Sequence, residues 1–151
     1  MGNNGENNVT DIEKYLRKID YIIRKNGRVI LSDFSITVPQ FRALQILIND
    51  GEMTISELSQ KMDLACSTIT DLVDRMENSE LVKRKKDTKD KRVVRIEVLS
   101  KGNIILEKVL EKRIQYLSQK LVNISINDKK NLRDNLENLY LEMKEQSGSK
   151  E

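Results

Sequence analysis

The sequence predicts a mainly α-helical protein with one small β-hairpin. Apolar residues recur at three- and four-residue intervals over most of the 151 residues, which is the period of an amphipathic helix. Thr or Ser stands three positions before Gln, Glu or Asp at several helix starts, as in a capping box. Two β-prone runs enclose a polar segment after residue 80. A chain of this length forms one domain, or one domain with an association region.

The first helix is predicted over residues 9–35. Ile12, Leu16 and Ile19 lie at helical spacing within it, separated by charged side chains. The polar, asparagine-rich residues 1–8 before it are expected to be disordered.

Two shorter helices follow. Thr37 and Gln40 have the spacing of a capping box, so a second helix is expected to begin there and to end before Gly51. Thr54 and Glu57 repeat the same spacing at the start of a third, shorter helix in "TISELSQKM".

A fourth helix is predicted in "CSTITDLVDRMENSE", where Ile69, Val73 and Met76 share one face. Two short helices joined by a tight turn form a helix-turn-helix, whose second helix is a candidate reader of DNA. Apolar spacing alone is also compatible with two core helices of a bundle. The polar outer face of the fourth helix favours the helix-turn-helix.

The runs "LVKRK" and "RVVRIEVL" around "KDTKDK" predict a β-hairpin, so residues 36–99 form a winged helix-turn-helix domain with the hairpin as its wing. Charge supports this assignment. Residues 83–98 carry eight basic and three acidic groups, whereas residues 38–82 carry three and eight. A local basic excess of this kind indicates a surface for a polyanion, although a solvated hairpin rich in lysine is the plainer alternative.

Residues 100–146 are predicted to form two long helices. Leu106, Leu110 and Leu117 belong to an apolar stripe on the first, and Leu132 and Leu136 to a stripe on the second. Together with helix one, these helices carry more apolar surface than a small helix-turn-helix core can cover, so we expect them to form a dimerisation region. Residues 147–151 are expected to be a flexible tail.

Composition excludes several classes of function. The chain has no histidine and one cysteine, Cys66, so it has neither a disulfide framework nor the commonest general base and metal ligand. No Gly-rich phosphate loop or metal-ligand spacing is present, and we expect no enzymatic activity, cofactor or metal. No segment is apolar enough to span a bilayer, so a cytoplasmic protein without membrane contact is expected.

The segments "STITDLVDRMENSELVKR" and "DTKDKR" resemble the recognition helix and wing tip of the MarR (multiple-antibiotic-resistance regulator) family of bacterial regulators. The likeness covers almost the whole chain. It implies a homodimeric winged-helix transcriptional regulator, usually a repressor, that dimerises through its first and last two helices. It also implies double-stranded DNA as partner, and often release of that DNA when a small-molecule effector binds.

The DNA-contacting residues expected on this basis lie in two groups. On the recognition helix they are Ser67, Thr68, Thr70, Asp71 and Arg75, and on the wing they are Arg84, Lys85, Lys86, Lys89, Asp90, Lys91 and Arg92. Arg92 would enter a minor groove about 6 Å wide, which excludes a helix but admits one extended side chain. Asp90 would hold Arg92 in place by a charge-assisted hydrogen bond, and the lysines would contact phosphates.

The chain departs from the family pattern at three residues near these groups. Glu80 stands where the family often has glycine, so a left-handed turn there would lack its easiest residue. Ala65 and Cys66 open the recognition helix, where Ser or Asp would cap better.

Three hypotheses remain open beside the main interpretation. A thiol at a helix N-terminus can be reactive, so Cys66 is a candidate redox sensor, with a plain structural role as the alternative. Tyr15, Tyr21 and Phe34 are candidates to line an effector crevice, although aromatic residues more often belong to the core. A winged helix that docks an acidic protein partner is the alternative to a DNA-binding regulator.

Overall fold

The computed structural model describes the backbone of residues 3–147 and the side chains of residues 5–144. The described part contains six helices and two strands, which confirms the predicted fold class. In chain order they are α1 (Asn3–Asp33), α2 (Val38–Asp50), α3 (Ile55–Met62), α4 (Cys66–Asn78), β1 (Val82–Lys86), β2 (Val94–Val98), α5 (Ser100–Lys120) and α6 (Ile126–Ser147). The chain divides into two units, one reaching to Arg113 and the other starting at Ile114.

Helix α1 is longer than the sequence predicts. It begins at Asn3, so the expected disorder of residues 1–8 is wrong for residues 3–8, while residues 1 and 2 lie outside the described part. Extending a helix that has already formed adds one hydrogen bond for each residue fixed, which offsets the weak helix propensity of Asn. The helix ends at Asp33, because Ser35 takes a left-handed conformation with φ of 53°.

The two predicted capping boxes are confirmed and fix the starts of α2 and α3. The Gln40 N–H donates to Thr37 Oγ1 at 3.3 Å, and the Thr37 N–H donates to Gln40 Oε1 at 3.0 Å. Thr54 and Glu57 make the same reciprocal pair at 3.1 and 3.2 Å. Each box satisfies two N–H groups that a helix start would otherwise leave unpaired.

The core of the first unit lies between α2, α3, α4 and the hairpin. Its fully buried side chains include Leu44, Leu58, Ile69, Met76 and Ile96. These residues come from all four elements, so burial of their apolar surface sets the position of the hairpin relative to the helices.

The hairpin pairs β1 with β2 in antiparallel register, from Val82 opposite Val98 to Lys86 opposite Val94. A third segment joins it, because the Ile96 N–H donates to the Met53 carbonyl at 2.7 Å. The loop between α2 and α3 is thus bonded directly to the base of the wing.

The first turn of α5 packs against the chain that leads into β1. A Cβ at Gly102 would lie 2.6 Å from the Leu81 carbonyl oxygen and 2.9 Å from Val98 Cγ1, so only glycine fits there. The Leu99 N–H also donates to the Leu81 carbonyl at 2.9 Å. These interactions fix the direction in which α5 leaves the winged helix.

The second unit contains the end of α5 and all of α6. The Asp128 N–H donates to Ser125 Oγ at 3.1 Å, so Ser125 caps α6 as predicted. Ser147 is the last residue of α6, and residues 148–151 of the predicted flexible tail lie outside the described part. In residues 3–147 no helix combines the length and apolarity that crossing a membrane requires.

Candidate nucleic-acid interface

Helices α3 and α4 are joined by a turn of three residues. Asp63 ends α3 in a left-handed conformation with φ of 56°, and the Leu64 N–H donates to the Ser59 carbonyl at 3.1 Å. Ala65 occupies the N-cap of α4 and makes no side-chain capping bond, as the sequence predicts. A tight turn between two short helices of this kind is the geometry of a helix-turn-helix.

Helix α4 has one buried and one exposed face. Ile69, Val73 and Met76 are completely buried in the core. The five residues expected to contact DNA are all exposed on the rest of the helix surface, namely Ser67, Thr68, Thr70, Asp71 and Arg75. At 1.5 Å per residue, thirteen residues make a helix about 20 Å long, which fits along a major groove about 12 Å wide.

The hydroxyl of Thr70 already has a partner. It donates to the Cys66 carbonyl at 2.9 Å, within the first turn of α4. Its oxygen can therefore still accept a hydrogen bond, while its proton is engaged by the helix backbone.

The chain leaves α4 through a left-handed turn, although the residue there is not glycine. Glu80 has φ of 61°, and the Leu81 N–H donates to the Met76 carbonyl at 2.9 Å. The helix exit thus has the conformation that glycine favours, with a glutamate in its place. A left-handed conformation costs an L-residue roughly 1–2 kcal/mol.

Arg92 and Asp90 are paired at the wing tip, as predicted. The Arg92 N–H and Nε donate to Asp90 Oδ1 at 3.0 and 3.1 Å, and Nη2 donates to Oδ2 at 3.2 Å. These bonds hold the pKa of Asp90 below its usual value, so any stabilisation from the pair is lost only as pH falls below the ordinary pKa of aspartate. The Arg92 side chain remains 91% exposed. The pair thus fixes the orientation of the Arg92 guanidinium and leaves it facing solvent.

The hairpin loop beyond the strands is bonded to itself. The Asp87 N–H donates to the Val93 carbonyl at 2.9 Å, and the Val93 N–H donates to the Asp90 carbonyl at 3.0 Å. The Asp90 N–H donates to Asp87 Oδ2 at 3.3 Å. These bonds give the seven residues between β1 and β2 a defined shape.

Arg84 does not belong with the exposed wing residues. Its Nη2 lies 2.6 Å from Asp74 Oδ1, its Nη1 lies 3.2 Å from Glu77 Oε1, and its backbone N–H donates to Glu77 Oε2 at 2.8 Å. Only 30% of its side chain is exposed. Arg84 was predicted among the DNA-contacting residues of the wing, and the structure shows that its guanidinium instead ties β1 to α4 and pairs with two carboxylates of that helix.

Further basic residues of the wing are also paired with carboxylates. Lys85 Nζ lies 3.1 Å from Glu52 Oε1, and this hydrogen-bonded ion pair raises the pKa of Lys85. Arg95 lies 3.5 Å from Asp87 and 3.8 Å from Glu57. Lys83 pairs with Glu97 across the two strands at 3.5 Å. Much of the basic excess in residues 83–98 is therefore compensated within the fold.

Sequence reasoning missed the acidic partners that hold the wing in place. Glu52, Glu57, Asp74 and Glu77 all lie in the acidic segment 38–82 that precedes the basic one. The sequence feature that could have predicted these ion pairs is the acidic segment followed directly by a basic one, because the two segments pair when the fold brings them together.

Three wing lysines keep their charge available. In the part of the chain with described side chains, residues 5–144, no ion pair involves Lys86, Lys89 or Lys91. Together with Arg92, they form the solvent-facing basic surface of the wing. Such a surface attracts phosphates whatever the base sequence.

The structure does not bring the three predicted crevice aromatics together. Tyr15 and Tyr21 are 56% and 65% exposed on α1, whereas Phe34 packs against the core. A hollow of about 180 Å³ does exist elsewhere in the first unit. It is lined by apolar and basic residues, namely Ile23, Arg24, Gly27, Arg28, Leu31, Val38, Phe41, Val109 and Arg113.

Cys66 is a free, exposed cysteine at the first position of α4. Its Sγ lies 3.3 Å from the hydroxyl oxygen of Ser59, a residue of α3. This interaction links the two helices of the helix-turn-helix. Among the residues with described side chains, no cluster of three or more Cys, Asp or Glu could hold a metal ion.

Comparison with known proteins agrees with this geometry. Residues 36–94 match the model of the MarR family. The uncharacterised HTH-type transcriptional regulator YsmB of Bacillus subtilis is 57% identical over 109 residues, which are 72% of this chain and 75% of that protein. The HTH-type transcriptional repressor MdtR of the same organism is 29% identical over 70% of this chain and 68% of its own length.

A solved structure is similar over nearly the full length. The MarR family protein from Bacillus stearothermophilus is 46% identical, with a TM-score of 0.83 over 92% of this chain and 97% of that one. The agreement includes the long terminal helices as well as the winged helix.

Proposed function

The chain belongs to the MarR family of winged-helix transcriptional regulators, which bind DNA and are not enzymes, and from this premise we propose that it is a homodimeric cytoplasmic repressor of a pseudo-palindromic operator. Each α4 lies in a major groove in this proposal, and each wing places Arg92 in the adjacent minor groove. The similar protein MdtR is a transcriptional repressor, which supports repression rather than activation in this proposal.

The observation that carries the DNA-binding mode is the different charge of α4 and the wing. The outer face of α4 is polar, and two of its carboxylates are neutralised by Arg84. On the wing, positive charge remains exposed at Arg92 and at the three lysines without ion pairs, whereas α4 exposes Arg75 beside the carboxylate of Asp71. Helix α4 therefore supplies base contacts, while the wing supplies attraction to the backbone and one minor-groove contact.

The dimer is supported by apolar surface that each unit leaves exposed. On α1, Val9, Ile12, Leu16 and Ile19 are between 41% and 67% exposed at alternating three- and four-residue spacing. The second unit carries a stripe of the same period on α6, made of Leu132, Leu136, Leu139 and Met143. Apolar stripes of this period pack against another helix, and a second copy of the chain provides one.

A small organic anion is the effector class that the hollow in the first unit fits best. Its apolar lining would bury a small ring, and the guanidinium groups of Arg28 and Arg113 would pair with a carboxylate or phenolate, whereas Arg24 is already paired with Asp20. Because the lining comes from α1, α2 and α5, binding there would bias the position of the helix-turn-helix relative to α1.

Binding of the purified protein to the DNA upstream of its own gene, across a salt series, tests the function. A regulator is expected to prefer that duplex to random DNA of equal length, with log affinity falling linearly as log salt rises. Adding benzoate to the same reaction should release the DNA. Equal affinity for both duplexes at every salt concentration would instead support a winged helix that binds an acidic protein partner.

A further inference from the structure

Asp71 lies at the centre of the outward face of α4. At 3.6 residues per turn, it points almost opposite to the buried side chains of Ile69, Val73 and Met76. In the proposed complex, this position faces the floor of the major groove. An acidic residue is unexpected there, because the surface must approach a polyanion.

The other carboxylates of α4 that could face DNA have partners within the protein. Arg84 binds both Asp74, at 2.6 Å, and Glu77, at 3.2 Å. Arg75 lies one turn beyond Asp71, at a spacing that allows an ion pair, but no such pair forms. Across residues 5–144, Asp71 has neither an ion pair nor a side-chain hydrogen bond. Its carboxylate is therefore free for a donor from outside the chain.

The major groove offers few donors to such a group. An ionised carboxylate only accepts hydrogen bonds, and it is destabilised when it loses water without gaining a donor. The base-edge donors are the N4 amino group of cytosine and the N6 amino group of adenine. Adenine also presents the acceptor N7 beside its amino group, which repels a carboxylate, whereas cytosine presents the amino group alone.

We propose that Asp71 is a specificity-determining residue that selects a cytosine in each operator half-site by accepting a hydrogen bond from its N4 amino group. The inference rests on the proposed function, since it requires α4 to lie in the major groove. It gives the acidic side chain a role in choosing sequence, because guanine and thymine at that position offer the carboxylate no donor and adenine sets its N7 acceptor beside it.

Selection of bound duplexes from a randomised DNA pool tests the proposal with three proteins: wild type, Asp71→Asn and Asp63→Asn. Wild type is expected to enrich half-sites with one fixed cytosine. Asp71→Asn should replace that cytosine by adenine and change no other position, because an amide pairs with N6 and N7 of adenine. We expect this variant to lose about tenfold in affinity for the wild-type site and to regain it on the adenine-substituted site.

Asp63→Asn is the matched control. It removes the same charge from an exposed left-handed position in the preceding turn, where Asn is tolerated. It is expected to keep the wild-type sequence preference, with at most a small gain in affinity for all DNA from the lost negative charge. Thermal unfolding should be unchanged in both, since both side chains are exposed.

Two results would overturn the proposal. If Asp71→Asn selects the wild-type sequences and merely binds all of them more tightly, the carboxylate acts only as a charge. If wild type selects a defined half-site without a fixed cytosine, Asp71 reads no cytosine. A wild-type protein that enriches no sequence at all contradicts the proposed function itself, and is thereby distinguished from both results.

Discussion

At the residue scale, the wing tip depends on a single side chain that the fold leaves in solvent. The Arg92 guanidinium is held by hydrogen bonds to Asp90 and is almost fully exposed. Its removal should therefore weaken DNA binding and leave the stability of the fold unchanged. We predict that Arg92→Ala weakens operator binding about 10- to 100-fold, measured by fluorescence anisotropy, with the thermal midpoint unchanged.

Arg92→Lys is the informative companion to this variant, because it keeps the charge but loses the planar guanidinium. If the narrow minor groove binds the guanidinium specifically, the Arg92→Lys variant should also bind the operator more weakly than wild type. If the alanine variant binds the operator as tightly as wild type while remaining dimeric, the minor-groove role of the wing is refuted.

Glu80 is a second residue with a measurable effect, because its backbone conformation lowers the stability of the fold. Its left-handed φ of 61° is unfavourable for glutamate and free for glycine. We predict that Glu80→Gly raises the free energy of unfolding by about 0.5–1 kcal/mol, measured by urea denaturation. Glu80→Ala removes the same charge but keeps the strain, so it should bring little gain. Equal stabilisation by both would mean that charge and not backbone conformation is the cause.

At the element scale, Arg84 and Lys86 lie on the same strand and have different roles. Arg84 bonds to two carboxylates of α4, whereas Lys86 has no ion pair among the described residues. We predict that Arg84→Ala lowers the free energy of unfolding by about 1 kcal/mol, because it removes two ion pairs to carboxylates that are 54% and 40% exposed.

Lys86→Ala should show the opposite pattern. Stability should change by less than about 0.5 kcal/mol, while affinity falls for all DNA sequences and the salt slope decreases by about one for each phosphate that is no longer neutralised. Stability losses of equal size in the two variants would contradict the distinction between a structural and a phosphate-contacting residue on β1.

The elements that were predictable from sequence are those defined by local rules. The starts of α2 and α3 follow from Thr37 and Thr54, because a capping box involves residues only three apart. The ion pairs of Arg84 were not predictable, since Asp74 lies ten residues away and meets it only after the turn at Glu80 reverses the chain. The hollow in the first unit was not predictable for a similar reason, because its lining residues come from three helices.

At the scale of the whole molecule, the exposed apolar stripes make association testable. Leu16 is 41% exposed in the middle of the α1 stripe. Burying the exposed part of this leucine contributes roughly 1 kcal/mol, a symmetric dimer buries it twice, and a glutamate there would place a carboxylate in the interface of each subunit. We predict that Leu16→Glu raises the dimer dissociation constant at least about a hundredfold, measured by sedimentation velocity, and abolishes operator binding at low protein concentration.

Lys18→Glu, on the same helix but outside the stripe, is the control. It should remain dimeric, with smaller changes in the dimer dissociation constant and in operator affinity. Leu136→Glu extends the test to α6, where the equivalent residue is 48% exposed. A Leu16→Glu protein that still sediments as a dimer would remove α1 from the interface, and the same result for Leu136→Glu would remove α6.

The attachment of the wing also has a consequence for how such proteins evolve. Its base is bonded to the α2–α3 loop through Met53 and to α4 through Arg84, whereas the bonds of the loop between the strands stay within the hairpin, including the ion pair of Asp87 with Arg95. After a gene duplication, substitutions in those seven residues can accumulate without loss of the folded scaffold. One copy can thereby acquire new target promoters while its architecture stays the same.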